Sequence, residues 1–289
     1  MTREHTAGRP AIVITGASSG IGYALARELS QAFTVFAGIR HGGDAGLVSG
    51  PQGSIVPLAL DVTDAASIAC ATEAVALVVG AQGLAGLINN AGICITGPIE
   101  SVPIDAWRAQ FAVNLFGPVA VTQAFLPLLR QGRGRIVNIG SIAGRHALPA
   151  TCPYAASKHA LAAVTDALRM EVQPFGMAVS LVEPGAIETP IWDKRDVVSR
   201  PIDGYTEMVE RIEAAAEASR KQALPPDAVV RCVRHALTSR YPRPRYLVGR
   251  DARLRAVLRL LLPDRVHDRL LAAVLHLPRS RQVGDQVRK

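Results

Sequence analysis

Tyr154 and Lys158 stand four residues apart in "CPYAASKHA" (152–160), inside an alanine-rich stretch that reads as helix. Residues i and i+4 of a helix share a face, so phenol and ammonium point the same way. A cation beside a phenol favours phenolate and lowers its pKa from about 10; bringing it to about 7 takes about 4 kcal/mol. A phenol so adjusted can give or take a proton near neutrality. Thirteen residues earlier, Ser141 closes an apolar run and could hold a substrate oxygen from the other side. Asn114 falls within a helical stretch, where its propensity is poor, and a buried amide there could hold a water feeding protons to Lys158. Each has a plainer account: a surface Tyr/Lys pair, a turn serine, a satisfied core amide. Their conjunction favours acid–base chemistry.

A second set of residues suits a dinucleotide. "TGASSGIG" (15–22) sets Gly16, Gly20 and Gly22 in the spacing G-x-x-x-G-x-G between an apolar run and a helix. The usual fingerprint is G-x-G-x-x-G, but the physical need is similar: a tight turn that lets backbone approach a pyrophosphate at a helix start. Ser18 and Ser19 can add hydrogen bonds, and Ile21 lies in the same turn. An ordinary glycine-rich turn is the alternative. The second apolar run ends "AGIRHGGD", with Ile39 where NAD sites commonly carry an acid for the ribose 2′-OH, and Arg40 next. A guanidinium suits a 2′-phosphate, so NADP(H) is favoured over NAD(H). A solvated strand-end role for Arg40, and Asp44 in the following loop, keep NAD(H) open. Asp61 and Val62 end the third run, where the carboxylate could accept from an adenine amino group; helix capping by Asp61 or Asp64 competes. "NNAG" (89–92) ends the fourth, where small Ala91 and Gly92 leave room for a cofactor. Asn90 could tie neighbouring strands, bind cofactor, or both.

These residues need a frame that gathers them. Seven β-like runs, 11–15, 33–39, 54–60, 84–90, 134–141, 178–184 and 245–249, are mostly apolar without alternation, as strands covered on both faces require. Helix-length segments lie between them at 20–31, 64–80, 103–130, 153–174 and 226–239. The alternation predicts an α/β fold: a doubly wound parallel sheet of seven strands, helices on both faces, with right-handed crossovers. Pro118 and Pro127 predict a kinked or split fourth connection. Ligands of such sheets sit at the carboxyl ends of the strands, where the motifs above fall. We read one catalytic domain over residues 1–250 and a C-terminal helical extension over 251–289.

Composition narrows the function classes. With 49% hydrophobic and 19% charged residues, the 289-residue chain is globular. Cys70, Cys94, Cys152 and Cys232 form no CxxC and no cluster with histidine, so neither a metal site nor a disulfide framework is expected. Reduced thiols suit the cytoplasm. The opening "MTREHTAGRP" is polar and unlike a signal peptide, and no apolar run approaches about 20 residues. Of the net charge of +8, residues 240–289 carry +9, so the basicity belongs to the tail.

At this point the chain resembles the short-chain dehydrogenase/reductase family. TGxxxGxG (15–22), NNAG (89–92), Asn114, Ser141, YxxxK (154–158) and "PGAIETP" (184–190) stand in family order over about residues 10 to 250. The resemblance implies a Rossmann-type fold and a tetrad of Asn114, Ser141, Tyr154 and Lys158. It implies that Tyr154 exchanges a proton with the substrate oxygen, Ser141 polarises it, Lys158 also grips the nicotinamide ribose, and Asn114 completes a water relay. Pro184, Gly185, Ile187 and Thr189 would line the nicotinamide, the last two meeting its carboxamide. Hydride would pass between the cofactor and a carbinol or carbonyl carbon. A non-catalytic redox sensor of the same fold need not keep the tyrosine and lysine. A nucleotide-sugar epimerase usually has another glycine pattern and a longer substrate domain.

The segment Glu188–Leu224 follows the nicotinamide loop and is expected to form a lid, with Ile191, Trp192, Tyr205, Met208 and Val209 as an apolar wall and 210–222 as exposed helix surface. The tail from 250 to 281 alternates leucine and arginine at helical spacing, and Pro263 divides it into two amphipathic helices. It could cover the pocket, meet a partner subunit, or rest on an anionic membrane as a peripheral foot. Nucleic acid is not expected, because the tail helices lack aromatics. The extended C-terminus, "VEPGAI" and "RYLVG" are similar to the branch that includes retinol and 17β-hydroxysteroid dehydrogenases, which implies a lipophilic alcohol or ketone. The family also implies a homodimer or homotetramer.

Overall fold

The computed structural model describes residues 8–40, 54–193, 196–197 and 205–277. Its strands are β1 (Ala11–Ile14), β2 (Thr34–Ile39), β3 (Ile55–Ala59), β4 (Gly86–Asn89), β5 (Ile95–Thr96), β6 (Arg135–Ile139), β7 (Ala178–Pro184), β8 (Asp196–Val197) and β9 (Arg245–Val248). Every residue of β1, β2 and β4 is buried, which explains their apolar runs without alternation. Seven strands form one parallel sheet in the order β3-β2-β1-β4-β6-β7-β9. Successive crossovers run one way from β1 and the other way from β4. That reversal opens a crevice at the carboxyl edge between β1 and β4. Sequence predicts all seven strands but not the small parallel pair of β5 and β8, whose strands are two residues each.

The helices are α1 (Gly20–Leu29), α2 (Ala65–Val79), α3 (Ile104–Phe111), α4 (Gly117–Gln131), α5 (Cys152–Val172), α6 (Thr206–Lys221), α7 (Asp227–Thr238), α8 (Arg250–Leu261) and α9 (Asp264–Val274). On one face of the sheet, Leu25 and Leu29 of α1 and Val229 and Val233 of α7 pack with Ile12, Ile14 and Val137. On the other, Val75 of α2 and Val121, Phe125 and Leu129 of α4 pack with Val13, Phe36 and Ile136. Phe36 and Phe125 are almost completely buried, each contributing about 2–3 kcal/mol of transfer free energy. The long fourth connection is split as expected. A widened π turn, Ala112–Phe116, interrupts the α-helical run between α3 and α4 just before Pro118, whereas α4 runs on through Pro127. Contrary to the expectation from the apolar runs, Ala65–Gln82 and Ile104–Gln131 are long and apolar enough, by length and composition alone, to cross a membrane. In this fold they are crossover segments covering the sheet. Pro263 separates α8 from α9, as the tail predicts.

Candidate active site

The turn from β1 into α1 is locked against β4. Gly16 has φ +64°, and a Cβ there would meet Ala91 Cα at 2.8 Å. A Cβ on Gly22 would come within 2.2 Å of the Gly16 carbonyl oxygen and 2.5 Å of Asn90 Nδ2. Asn90 Nδ2 donates to the carbonyls of Thr15 and Gly16 at 2.9 Å each, while Thr15 Oγ1 accepts from the N–H groups of Asn90 and Ala91 at 3.0 Å. Asn90 therefore ties the strands together and borders the cleft as well. Asp64 caps α2 by accepting from Ala66 N–H at 2.9 Å. Asp61 holds Thr63 instead, and it also borders the cleft. Arg40 stands exposed on the rim at the end of β2. Asp44 lies outside the described residues.

Pro153 in the first turn of α5 gives up no needed donor, and α5 then presents Tyr154 and Lys158 on its cleft-facing side. Lys158 is buried, its Nζ donating to the Ile139 carbonyl at 2.9 Å and lying 5.9 Å from the Tyr154 ring centre. Ser141 starts a 3₁₀ turn after β6, accepts from Ala143 N–H at 3.1 Å, and hydrogen-bonds the Tyr154 phenol. Asn114 is fully buried in the π turn. Its Oδ1 accepts from Ile93 N–H at 2.9 Å, and its Nδ2 donates to the Ile93 carbonyl at 3.0 Å and Ser157 Oγ at 3.1 Å. Gln110, four residues earlier, holds Ile95 N–H and the Ile93 carbonyl. Two buried amides thus clamp the 93–95 loop. Sequence reasoning missed Gln110 and Ser157. A cavity of about 690 Å³ is bordered by the expected site residues except Gly22 and Asn114, which lie behind its wall. Asn114 still reaches close: a Cβ on Gly92 would sit 3.4 Å from its Oδ1 and 3.7 Å from Lys158 Nζ.

One expectation is corrected. The Tyr154 phenol is pushed above its ordinary pKa, chiefly by burial and then by neighbouring Cys94; the Ser141 hydrogen bond pulls it back only in part. Lys158, 5.9 Å from the ring centre and bonded to the Ile139 carbonyl, does not offset this, and burial lowers its own pKa to about 8. In this protein alone the phenol is an acid at neutral pH.

Residues 10–197 match the family model described as short chain dehydrogenase. The chain belongs to the short-chain dehydrogenase family. It is 38% identical over 284 residues to retinol dehydrogenase 5 of Mus musculus, covering 92% of this chain and 89% of that one. It is 36% identical over 267 residues to an NADPH-dependent 3-dehydrocapnine reductase of Ornithobacterium rhinotracheale, covering 89% and 94%. The crystal structure of a short-chain dehydrogenase from Streptomyces avermitilis matches with a TM-score of 0.80 at 30% identity, over 91% of this chain and 95% of that one. This short-chain dehydrogenase is thus an oxidoreductase of alcohol and carbonyl groups that uses a nicotinamide cofactor. The cleft fits that group, since the backbone approach at Gly16 and Gly22 is one that any side chain would close.

The dehydrogenase builds the rest of the cleft from residues scattered along the chain. Ile191, Trp192 and Val209 border the cavity as expected. Tyr205 and Met208 do not, and the Tyr205 hydroxyl bonds the Glu100 carboxylate instead. Residues 210–222 are not simply exposed surface: Ile212, Ala215, Ala216 and Ser219 line the cavity at helical spacing. Trp192 Nε1 donates to the Ile187 carbonyl at 2.7 Å, holding the loop that follows β7. Asp251, in the first turn of α8, accepts from Ala186 N–H at 3.2 Å and clasps that loop to the tail. Glu183, without accessible side-chain surface, receives two bonds from Arg145 (2.7 and 2.8 Å) and one from Arg245 (3.0 Å). This fastens the segment starting at Ser141 to β7 and β9. A carboxylate inside the apolar run "AVSLVEP" was the available signal, since a buried acid must be paired.

Proposed function

We propose that the protein is an NADP(H)-preferring dehydrogenase or reductase of lipophilic alcohols or ketones, with Tyr154 as general acid/base. One observation carries the reading: Tyr154 borders a single cleft that runs from the glycine-rich turn to an apolar wall built by α6, α8 and α9. When bound, the nicotinamide supplies or accepts the hydride. Gly16, Ser18, Ser19, Gly20, Ile21 and Gly22 would hold the pyrophosphate, Asp61 and Val62 the adenine, and Pro184, Gly185, Ile187 and Thr189, with Asn90, Ala91 and Gly92, the nicotinamide. Ser141 orients the substrate oxygen, Tyr154 delivers its proton, and Lys158 and Asn114 hold the route by which that proton is replaced. The name of the retinol dehydrogenase relative supports a lipophilic substrate, and that of the NADPH-dependent relative supports Arg40 as partner of a 2′-phosphate.

The test is turnover of a panel of hydroxysteroids, retinol and long-chain ketones by wild type and Tyr154→Phe. Wild type should convert lipophilic members and the variant should lose nearly all turnover while binding NADPH. Activity confined to small polar sugars, or a variant within a few-fold of wild type, refutes the reading. We further propose a catalytic body over residues 1–250 and a tail that rests on a membrane surface in the cytoplasm. Val257, Leu260 and Leu261 of α8 and Val266 of α9 point away from the cleft and are 47–82% exposed, among arginines suited to anionic lipid. Sedimentation with anionic vesicles tests this. Assembly as a homodimer or homotetramer through α4 and α5 is proposed on the family pattern, and light scattering tests it.

A further inference from the structure

Both tail helices lay one face on the cleft, with Asp251, Leu254, Arg255 and Leu258 from α8 and His267 and Leu271 from α9. The face is apolar except at three places. Asp251 is engaged by the loop that follows β7. Arg255 is half-buried, and among the described residues no carboxylate stands within ion-pair distance of it. His267 is 8% exposed and meets His146 edge to face, ring centres 4.8 Å apart. His146, also 8% exposed, lies five residues after Ser141, and its buried Nδ1 has no hydrogen-bond partner among the described residues. The neighbouring Arg259 is satisfied by Asp264 at 2.7 Å. Glu213 borders the cavity from the exposed side of α6 but does not pair with Arg255. Among the described residues this end of the cleft thus holds one guanidinium, Arg255, with no carboxylate within ion-pair distance, while His267 Nδ1 lies 3.6 Å from the exposed Asp268. Burial and the nearby His267, Arg255 and Arg259 together hold His146 near a pKa of about 4.

A guanidinium set in an apolar wall without a partner costs free energy that an anion would recover. Its planar fork meets a carboxylate, sulfonate or phosphate through two charge-assisted bonds. We propose that Arg255, with His146 and His267 beside it, binds an acidic group carried on the same lipophilic molecule as the reacting alcohol or ketone. This rests on the lipophilic-substrate reading above and names its polar end. The acid and the apolar body would be gripped by one tail face, with Leu254, Leu258 and Leu271 on the chain and Arg255 on the charge.

Titration calorimetry on the full chain, with decanoate and 1-decanol as probes, tests it. Wild type should bind decanoate at least about ten-fold more tightly than decanol, the scale of one charge-assisted contact. Arg255→Gln should bring the two within about two-fold, and Arg255→Lys should restore part of the preference, because it keeps the charge but loses the fork. Failure of wild type to bind decanoate, or an unchanged preference in Arg255→Gln, overturns the inference. Turnover of neutral lipophilic alcohols without any grip on decanoate would overturn this inference alone. No turnover on any alcohol or ketone would overturn the broader reading.

Discussion

Replacing Glu183 with glutamine, Glu183→Gln, keeps the shape of the side chain and removes its charge from a place with no accessible surface. Arg145 and Arg245 would then face a neutral amide that returns only one acceptor oxygen. Asp166 still pairs with Arg245, so Arg145 is left the more exposed to the loss. Breaking a buried ion pair on one side costs about 3–5 kcal/mol. The side chains of Arg145 and Arg245 keep 32% and 29% exposure, and water can recover part of that. We therefore expect the lower end, about 3 kcal/mol. At about 2–4 °C per kcal/mol for a chain of this size, Tm should fall by about 6–12 °C in calorimetry at pH 7. Adding Arg145→Met removes the uncompensated cation and should recover about 1 kcal/mol or more, a non-additivity that a shared network requires. A Tm within 2 °C of wild type, or a double variant whose loss is the sum of the singles, would show that Glu183 is not the anchor described.

Three further outcomes follow from the geometry. Gly22→Ala must move the Gly16 carbonyl away from a 2.2 Å contact, an overpacking cost of about 1–3 kcal/mol, so NADPH affinity by fluorescence titration should fall roughly ten- to hundred-fold. Affinity kept within two-fold would contradict the close approach. Arg40→Ala should raise KM for NADPH roughly ten- to hundred-fold and leave KM for NADH nearly unchanged; equal effects on both would assign Arg40 to solvent. His146, held to about 4 when folded and ordinarily about 6.5, binds a proton first in the unfolded chain. Its share of stability is therefore complete above about pH 6.5 and is lost as pH falls toward about 4, at most about 3 kcal/mol. Urea unfolding of His146→Gln at pH 7 and 4.5 should show a smaller loss than wild type, and parallel losses would refute the assignment.

The sheet was legible because strands buried on both faces have no choice but to be apolar throughout, as "AIVIT" and "FTVFAGI" are. The turn from β1 into α1 was legible because its contacts are local: Gly16 to Gly22 form one turn, and Asn90 answers it from the end of one neighbouring strand. What escaped was assembled across the chain. His146 and His267 meet only through the tail, and Arg145, Glu183 and Arg245 come from three separate segments. The inner face of α6 escaped for another reason: Ala215, Ala216 and Ser219 are too small to mark a stripe, though their size is what lets the helix approach the cleft. The acidity of Tyr154 was misjudged because spacing along a helix gives the direction of a neighbour but not the density of protein around it.

The π turn at Ala112–Phe116 has a consequence for chain length. Each helical residue advances the next by about 100°, so this turn sets the phase between Gln110 and Asn114 on one side and Val121, Phe125 and Leu129 on the other. Deleting a single residue there would make the helix regular and swing the second set roughly a quarter-turn off the sheet. The number of residues between Phe111 and Gly117 is consequently as constrained as their identity, and an insertion or deletion would trade the amide clamp against the core.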